Sequence, residues 1–144
     1  MKAKEYLKDI ARMEAHIGAK KQRVAVLKDI ASSPSAPKYD GMPRNPNKGG
    51  STMADTVMKY TVLEGEIEED IKKLEEKKVF MLSLIGELDS ADYQTVLIKR
   101  YFEKKSWADI AEELFYSISW VYKLHGYALQ EVDSQIRIVK DSKV

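Results

Sequence analysis

The sequence predicts an all-α protein in which two long helices precede a cluster of three shorter ones. Three observations predict it. Apolar residues recur in alternating steps of three and four over residues 3–31 and again over 53–88, the spacing of a helix with one seam against a partner. All four prolines and a Gly-Gly pair fall in the single stretch between those segments. After residue 89 the long repeat gives way to short amphipathic segments, each opened by a Ser or Asp suited to capping a helix.

The first helix, residues 1–31, carries the seam Ala3, Tyr6, Ile10, Met13, Ile17, Lys20, Val24, Leu27 and Ala31, which only Lys20 interrupts. Residues 32–52 follow as a connector. Proline removes a backbone donor and glycine is entropically costly in a helix, so this stretch is expected to be a flexible, disordered link. Helix resumes after a cap at Ser51 or Thr52 and is expected over 53–89. Its seam runs Met53, Val57, Tyr60, Glu64, Ile67, Ile71, Leu74, Lys78, Met81, Ile85 and Leu88.

Charge is distributed unevenly behind a net value of +1. Residues 1–31 hold eight Lys/Arg against four Asp/Glu, whereas residues 53–89 hold five against ten. A basic helix and an acidic helix attract, and the expected result is a long antiparallel helical hairpin within one chain. A basic arm that reaches for nucleic acid is the other reading of the first segment. The register that stacks Ala31 on Met53, Leu27 on Val57 and Ile10 on Leu74 also sets Lys20 against Glu64, so the two mid-seam charges answer each other. Apolar residues left off this seam, among them Leu7, Val26, Ile30, Leu63, Val79, Phe80 and Leu82, predict self-association into a homo-oligomer.

Residues 90–132 form the third block. Tyr93, Val96, Leu97 and Arg100–Phe102 make one helix, Glu103–Lys105 a link, and Ser106 and Ser117 each cap a further helix. Two short helices that cross need a small residue at the crossing, apolar residues at set offsets beneath, and an outward face at the start of the second helix. Ala111 supplies the crossing. Ile110, Leu114, Val121 and Leu124 supply the underside, and Tyr116 closes the turn. This is the pattern of a helix-turn-helix module. Residues 133–144 are a tail that extends the last helix or frays from it.

The run from Asp92 to Val132, DYQTVLIKRYFEKKSWADIAEELFYSISWVYKLHGYALQEV, resembles region 4 of bacterial sigma factors, and its ending ALQEV is similar to the ALxxL close of that region. With the MKAKEYLKDI start, the Pro/Gly connector and the STMADTV restart, the whole layout resembles small phage and prophage regulators of Gram-positive bacteria, of the sigma-region-4-like ArpU/RinA type. The resemblance implies a transcription regulator that binds double-stranded DNA through the second helix of the module. The positions that would meet DNA there are Ser117, Ile118, Ser119, Trp120, Tyr122 and Lys123. Arg100, Lys104 and Lys105 flank the first helix, where they would meet phosphates.

Two features depart from the relatives. Phe115 stands where many such turns have Gly, so an adjusted turn is expected, because a positive φ would cost a Phe about 1 kcal/mol or more. The reading face is unusually apolar: Lys123 is its one strong donor for a guanine edge, while Ile118 suits thymine methyls. A protein-binding adaptor that uses the same face for RNA polymerase is therefore the alternative, with a small-terminase-like DNA-packaging adaptor as a further one.

Other chemistry finds little support. There is no cysteine, and His16 and His125 lie in different segments without ligand spacing, so no metal or cofactor is expected. NKGGST lacks the spacing of a phosphate-binding loop, and no catalytic grouping appears, so the chain does not read as an enzyme. The charged start carries no signal-peptide core and no run is long enough to span a bilayer, which predicts a cytoplasmic protein without membrane contact.

Overall fold

The computed structural model describes residues 2–33 and 53–142, so the expected caps at Ser51 and Thr52 and nearly all of the connector lie outside the described residues. The described residues are helical and contain no strand. The elements are α1 (Ala3–Ser32), α2 (Met53–Gly86), α3 (Ala91–Leu97), a π-helical turn (Ile98–Phe102), α4 (Trp107–Leu114) and α5 (Ile118–Ser142). No helix among them is long and apolar enough to cross a membrane. The chain divides into two compact units, one of residues 12–74 and one of residues 1–11 with 75–144.

In the first unit the basic and acidic helices are cross-linked by charge. Lys20 bonds the Asp70 carboxylate at 2.6 Å and reaches Glu66 at 3.4 Å. Lys28 lies 3.4 Å from Glu64 and 5.5 Å from the centre of the Tyr60 ring. Partners descend α2 as α1 is climbed, so the two segments run antiparallel. Beneath these pairs Ile17 and Val24 of α1, and Leu63, Ile67 and Leu74 of α2, are buried.

The expected register is corrected here. Lys20 meets Asp70 and not Glu64, because α2 turns Thr56 and Leu63 inward in place of Val57 and Glu64, with Asp70 and Ile71 both half-buried. Thr56 and Leu63 are buried, Val57 and Glu64 are exposed, and Ile71 is half-buried. The two columns are neighbours on the same helix and share Tyr60, Ile67 and Leu74. Turning Leu63 inward buries a full apolar side chain and leaves Glu64 in water. Burying Glu64 would instead impose the desolvation cost of a carboxylate. Leu7, expected off the seam, is likewise buried.

The second unit has its own core. Val96, Ile110, Ala111, Val121 and Leu124 are buried together, with Tyr93, Trp107 and Leu114 packed against them. The stripe continues along α5 through Ala128, Val132 and Ile136, so residues 133–142 extend the last helix. Tyr6 packs on Phe80 with ring centres 5.5 Å apart, and the Ala3 amide donates to Asp133 at 2.6 Å, a carboxylate on the electropositive start of α1. Ser90 caps α3 by accepting from the Tyr93 amide at 3.3 Å. The Glu103 amide reaches back five residues to Ile98, which closes the π turn.

Candidate nucleic-acid interface

α4 and α5 are joined by Phe115, Tyr116 and Ser117, and both helices begin on serine caps. Ser106 Oγ accepts from the Asp109 amide and Ser117 Oγ from the Trp120 amide, each at 3.1 Å. Each cap satisfies one amide that the first helical turn would otherwise leave bare. α4 ends with two reversed bonds, from the Tyr116 amide to Ala111 O at 3.0 Å and from the Phe115 amide to Glu112 O at 3.3 Å. This closure needs a left-handed residue between them, and Phe115 takes it with φ 59° and ψ 37°. The expected adjustment of the turn does not occur. The glycine geometry is kept and the phenylalanine bears the strain.

That strain brings no packing in return, since the Phe115 residue is 93% exposed. Tyr116 instead anchors the turn by donating its hydroxyl to Asp92 on α3 at 2.8 Å. The bond and charge of Asp92 raise the Tyr116 pKa above the phenolic range. With Val121 and Leu124 turned into the core, Ser117, Ile118, Ser119, Trp120, Tyr122 and Lys123 all lie on the exposed side of the first two turns of α5. The structure therefore brings these six predicted residues together at one helix end, beside Phe115.

The cationic residues expected to grip phosphate have partners inside the module. The Arg100 guanidinium lies 4.4 Å from the centre of the Trp107 ring and donates to the Lys105 carbonyl at 3.1 Å. Lys105 pairs with Glu113 and reaches Glu103 at 3.4 Å, while Lys99 holds the other Glu113 oxygen at 3.1 Å. These two lysines hold the Glu113 carboxyl below the usual range. Lys104 adopts a left-handed φ of 60° and is exposed on the link between the π turn and α4.

Behind the face lies an aromatic cluster that the sequence reading did not assemble. Trp107 meets Tyr122 edge-on at 5.2 Å and His125 at 4.7 Å, and His125 stacks on Tyr101 at 5.6 Å. Burial, then the charges of Lys4 and Arg100, lower the His125 pKa from 6.5 to about 4. His125 is thus a packing residue held neutral. Among the described residues no group of three or more His, Asp or Glu is arranged to hold a metal ion.

A family model described as "Protein of unknown function (DUF1492)" matches residues 39–133. The chain belongs to the DUF1492 family. Comparison with curated proteins and with solved structures finds no match. The DUF1492 match takes in α2, α3, the π turn, α4 and α5 as far as Asp133, and leaves α1 outside. All nine candidate DNA-facing residues of this DUF1492 protein therefore lie inside the family region.

Proposed function

We propose that this protein is a sequence-specific DNA-binding transcription regulator of phage or prophage genes, acting in the cytoplasm and not as an enzyme. In this reading α3 to α5 form a helix-turn-helix module of sigma region 4 type, carried on the antiparallel hairpin of α1 and α2. One observation carries it. The doubly capped α4–α5 pair buries Ile110, Ala111, Val121 and Leu124 beneath the crossing and leaves the first two turns of α5 exposed. An exposed helix start with bare amides, Ser119 and Lys123 is what a major groove admits, and the Ser117 end is suited to a phosphate. The phage assignment rests on the resemblance of residues 92–132 and of the overall layout.

The face reads DNA largely through apolar contact. Ile118 and Tyr122 match thymine methyls and Lys123 a guanine edge. With Arg100 and Lys105 engaged internally, few cations are left to neutralise phosphates, so non-specific affinity is low. The test is selection of bound duplexes from a random pool, followed by titration of the selected site at two salt concentrations. Recovery of a common site that is bound at least tenfold above random duplex supports the reading.

A second reading is favoured by one specific observation. Phe115 at 93% exposure, beside exposed Ile118, Trp120 and Tyr122, has the apolar character of a protein-docking face, with RNA polymerase or another protein as the partner. Absence of any bound duplex at low salt, together with capture of purified polymerase that Trp120→Ala abolishes, selects this adaptor function.

A further inference from the structure

The unit of residues 12–74 carries a second apolar surface that its own two helices do not cover. Ala19, Val26 and Leu27 of α1 and Met58, Val62 and Leu63 of α2 line an open groove of roughly 1180 Å³. Val26, Met58 and Val62 are 58%, 67% and 57% exposed. On α1 the lining residues Ala19, Gln22, Arg23 and Val26 repeat at three and four, and on α2 Asp55, Met58, Val62 and Glu66 do the same. Each helix thus bears, besides the stripe spent on its partner, a second row facing water in which Ala19 and Val26, or Met58 and Val62, are flanked by polar residues. A helix in a two-helix pair needs one stripe; a helix in a four-helix bundle needs two.

We infer that this groove is the self-docking face of the protein, filled by the same groove of a second copy in a two-fold dimer. Charge argues for that occupant. Residues 12–32 hold five Lys/Arg against two Asp/Glu, and residues 53–74 hold three against six. An isologous pairing about a two-fold axis parallel to the helices sets the basic helix of each copy beside the acidic helix of the other, which repeats between chains the attraction seen within one. The rim is self-complementary as well, with Arg23 and Lys59 matched by Asp55 and Glu66 around an apolar floor. The connector between the two helices is a poor rival, because Tyr39 and Met42 are its only large non-proline apolar side chains.

The inference is independent of what the α5 face binds. Sedimentation equilibrium of the full chain from about 1 to 100 μM should give twice the chain mass, falling to one chain mass in Val26→Glu and in Met58→Glu/Val62→Glu. Those side chains are already exposed, so circular dichroism should report unchanged helicity. Val79→Glu, an exposed apolar position outside the groove, should leave the dimer intact. The chain has no cysteine, so Val62→Cys introduces a single thiol. A short thiol-reactive crosslinker should then link two copies, and Val26→Glu should abolish the link. Three results would overturn the proposal: a monomer across the whole range, a dimer that survives both groove variants, or a dimer that appears only when residues 34–52 are replaced by a Gly/Ser linker.

Discussion

The Tyr101 hydroxyl lies 2.6 Å from Nε2 of His125, and the two rings stack. The neutral imidazole accepts from the hydroxyl in its Nδ1–H tautomer and donates to it in its Nε2–H tautomer. Protonation would leave a donor to the Tyr101 oxygen in either case and add a cation near Lys4 and Arg100. Burial, and then the charges of Lys4 and Arg100, favour neutral histidine.

This makes stability pH-dependent in a defined direction. His125 has a folded pKa of about 4 against an ordinary 6.5, so in the window between them the unfolded chain binds a proton that the folded chain refuses. Its stabilising effect is complete above about pH 6.5 and is lost progressively as the pH falls towards 4. The loss is at most about 3 kcal/mol, with partial solvent access reducing it. Thermal melts between pH 7 and pH 5 should show Tm falling in wild type and a clearly smaller slope in His125→Gln. Equal slopes would refute it.

Phe115 predicts a mutation that stabilises. Phe115→Gly keeps the left-handed closure of α4, loses no buried surface and removes a strain of about 1 kcal/mol. Its Tm should rise by several degrees. If the aromatic ring serves binding, affinity for the selected DNA or for polymerase should fall in the same variant. A Tm below wild type would contradict the strain argument.

The register of α1 on α2 can be checked by double-mutant cycles. Lys20→Gln with Asp70→Asn should show a coupling in unfolding free energy, whereas Lys20→Gln with Glu64→Gln should be additive within error. Lys28→Gln with Glu64→Gln should couple weakly, as exposed pairs do. Coupling between Lys20 and Glu64 would restore the register expected from the heptads.

On DNA, Lys123→Ala should cost about 1–3 kcal/mol at the selected site and relax preference at one base pair. Lys104→Ala should weaken all duplexes alike and lower the salt slope by about one. Replacing thymine by uracil removes only the methyl group, so in titrations it should weaken wild type more than Ile118→Ala. Equal effects on both proteins would mean that Ile118 does not touch a thymine methyl.

The helices and the module core were legible because their signals are local. Ile110, Ala111, Val121 and Leu124 sit at offsets set by the helical period and by two serine caps, and they form one core. The α2 seam was half legible. Columns 56/63/70 and 57/64/71 are one residue apart and share the positions between them, so the choice is a small rotation that only packing decides. The π turn left no mark in residue type. Left-handed Phe115 was hidden for the opposite reason, since its side chain argues against the conformation that the α4–α5 closure imposes. The engagement of Arg100 and Lys105 depends on Trp107 and Glu113, which only the fold brings within reach.

Lys104 and Phe115, the two left-handed residues outside glycine among the described residues, bracket α4. A helix of eight residues is too short to persist alone and owes its order to Ile110 and Ala111 in the core. Opening either end releases strain, which offsets part of the burial given up. α4 should thus open locally at less cost than the longer α5, and its amides should exchange with solvent sooner. The helix that braces the exposed face from behind is therefore a labile support, and binding that orders this region should slow that exchange.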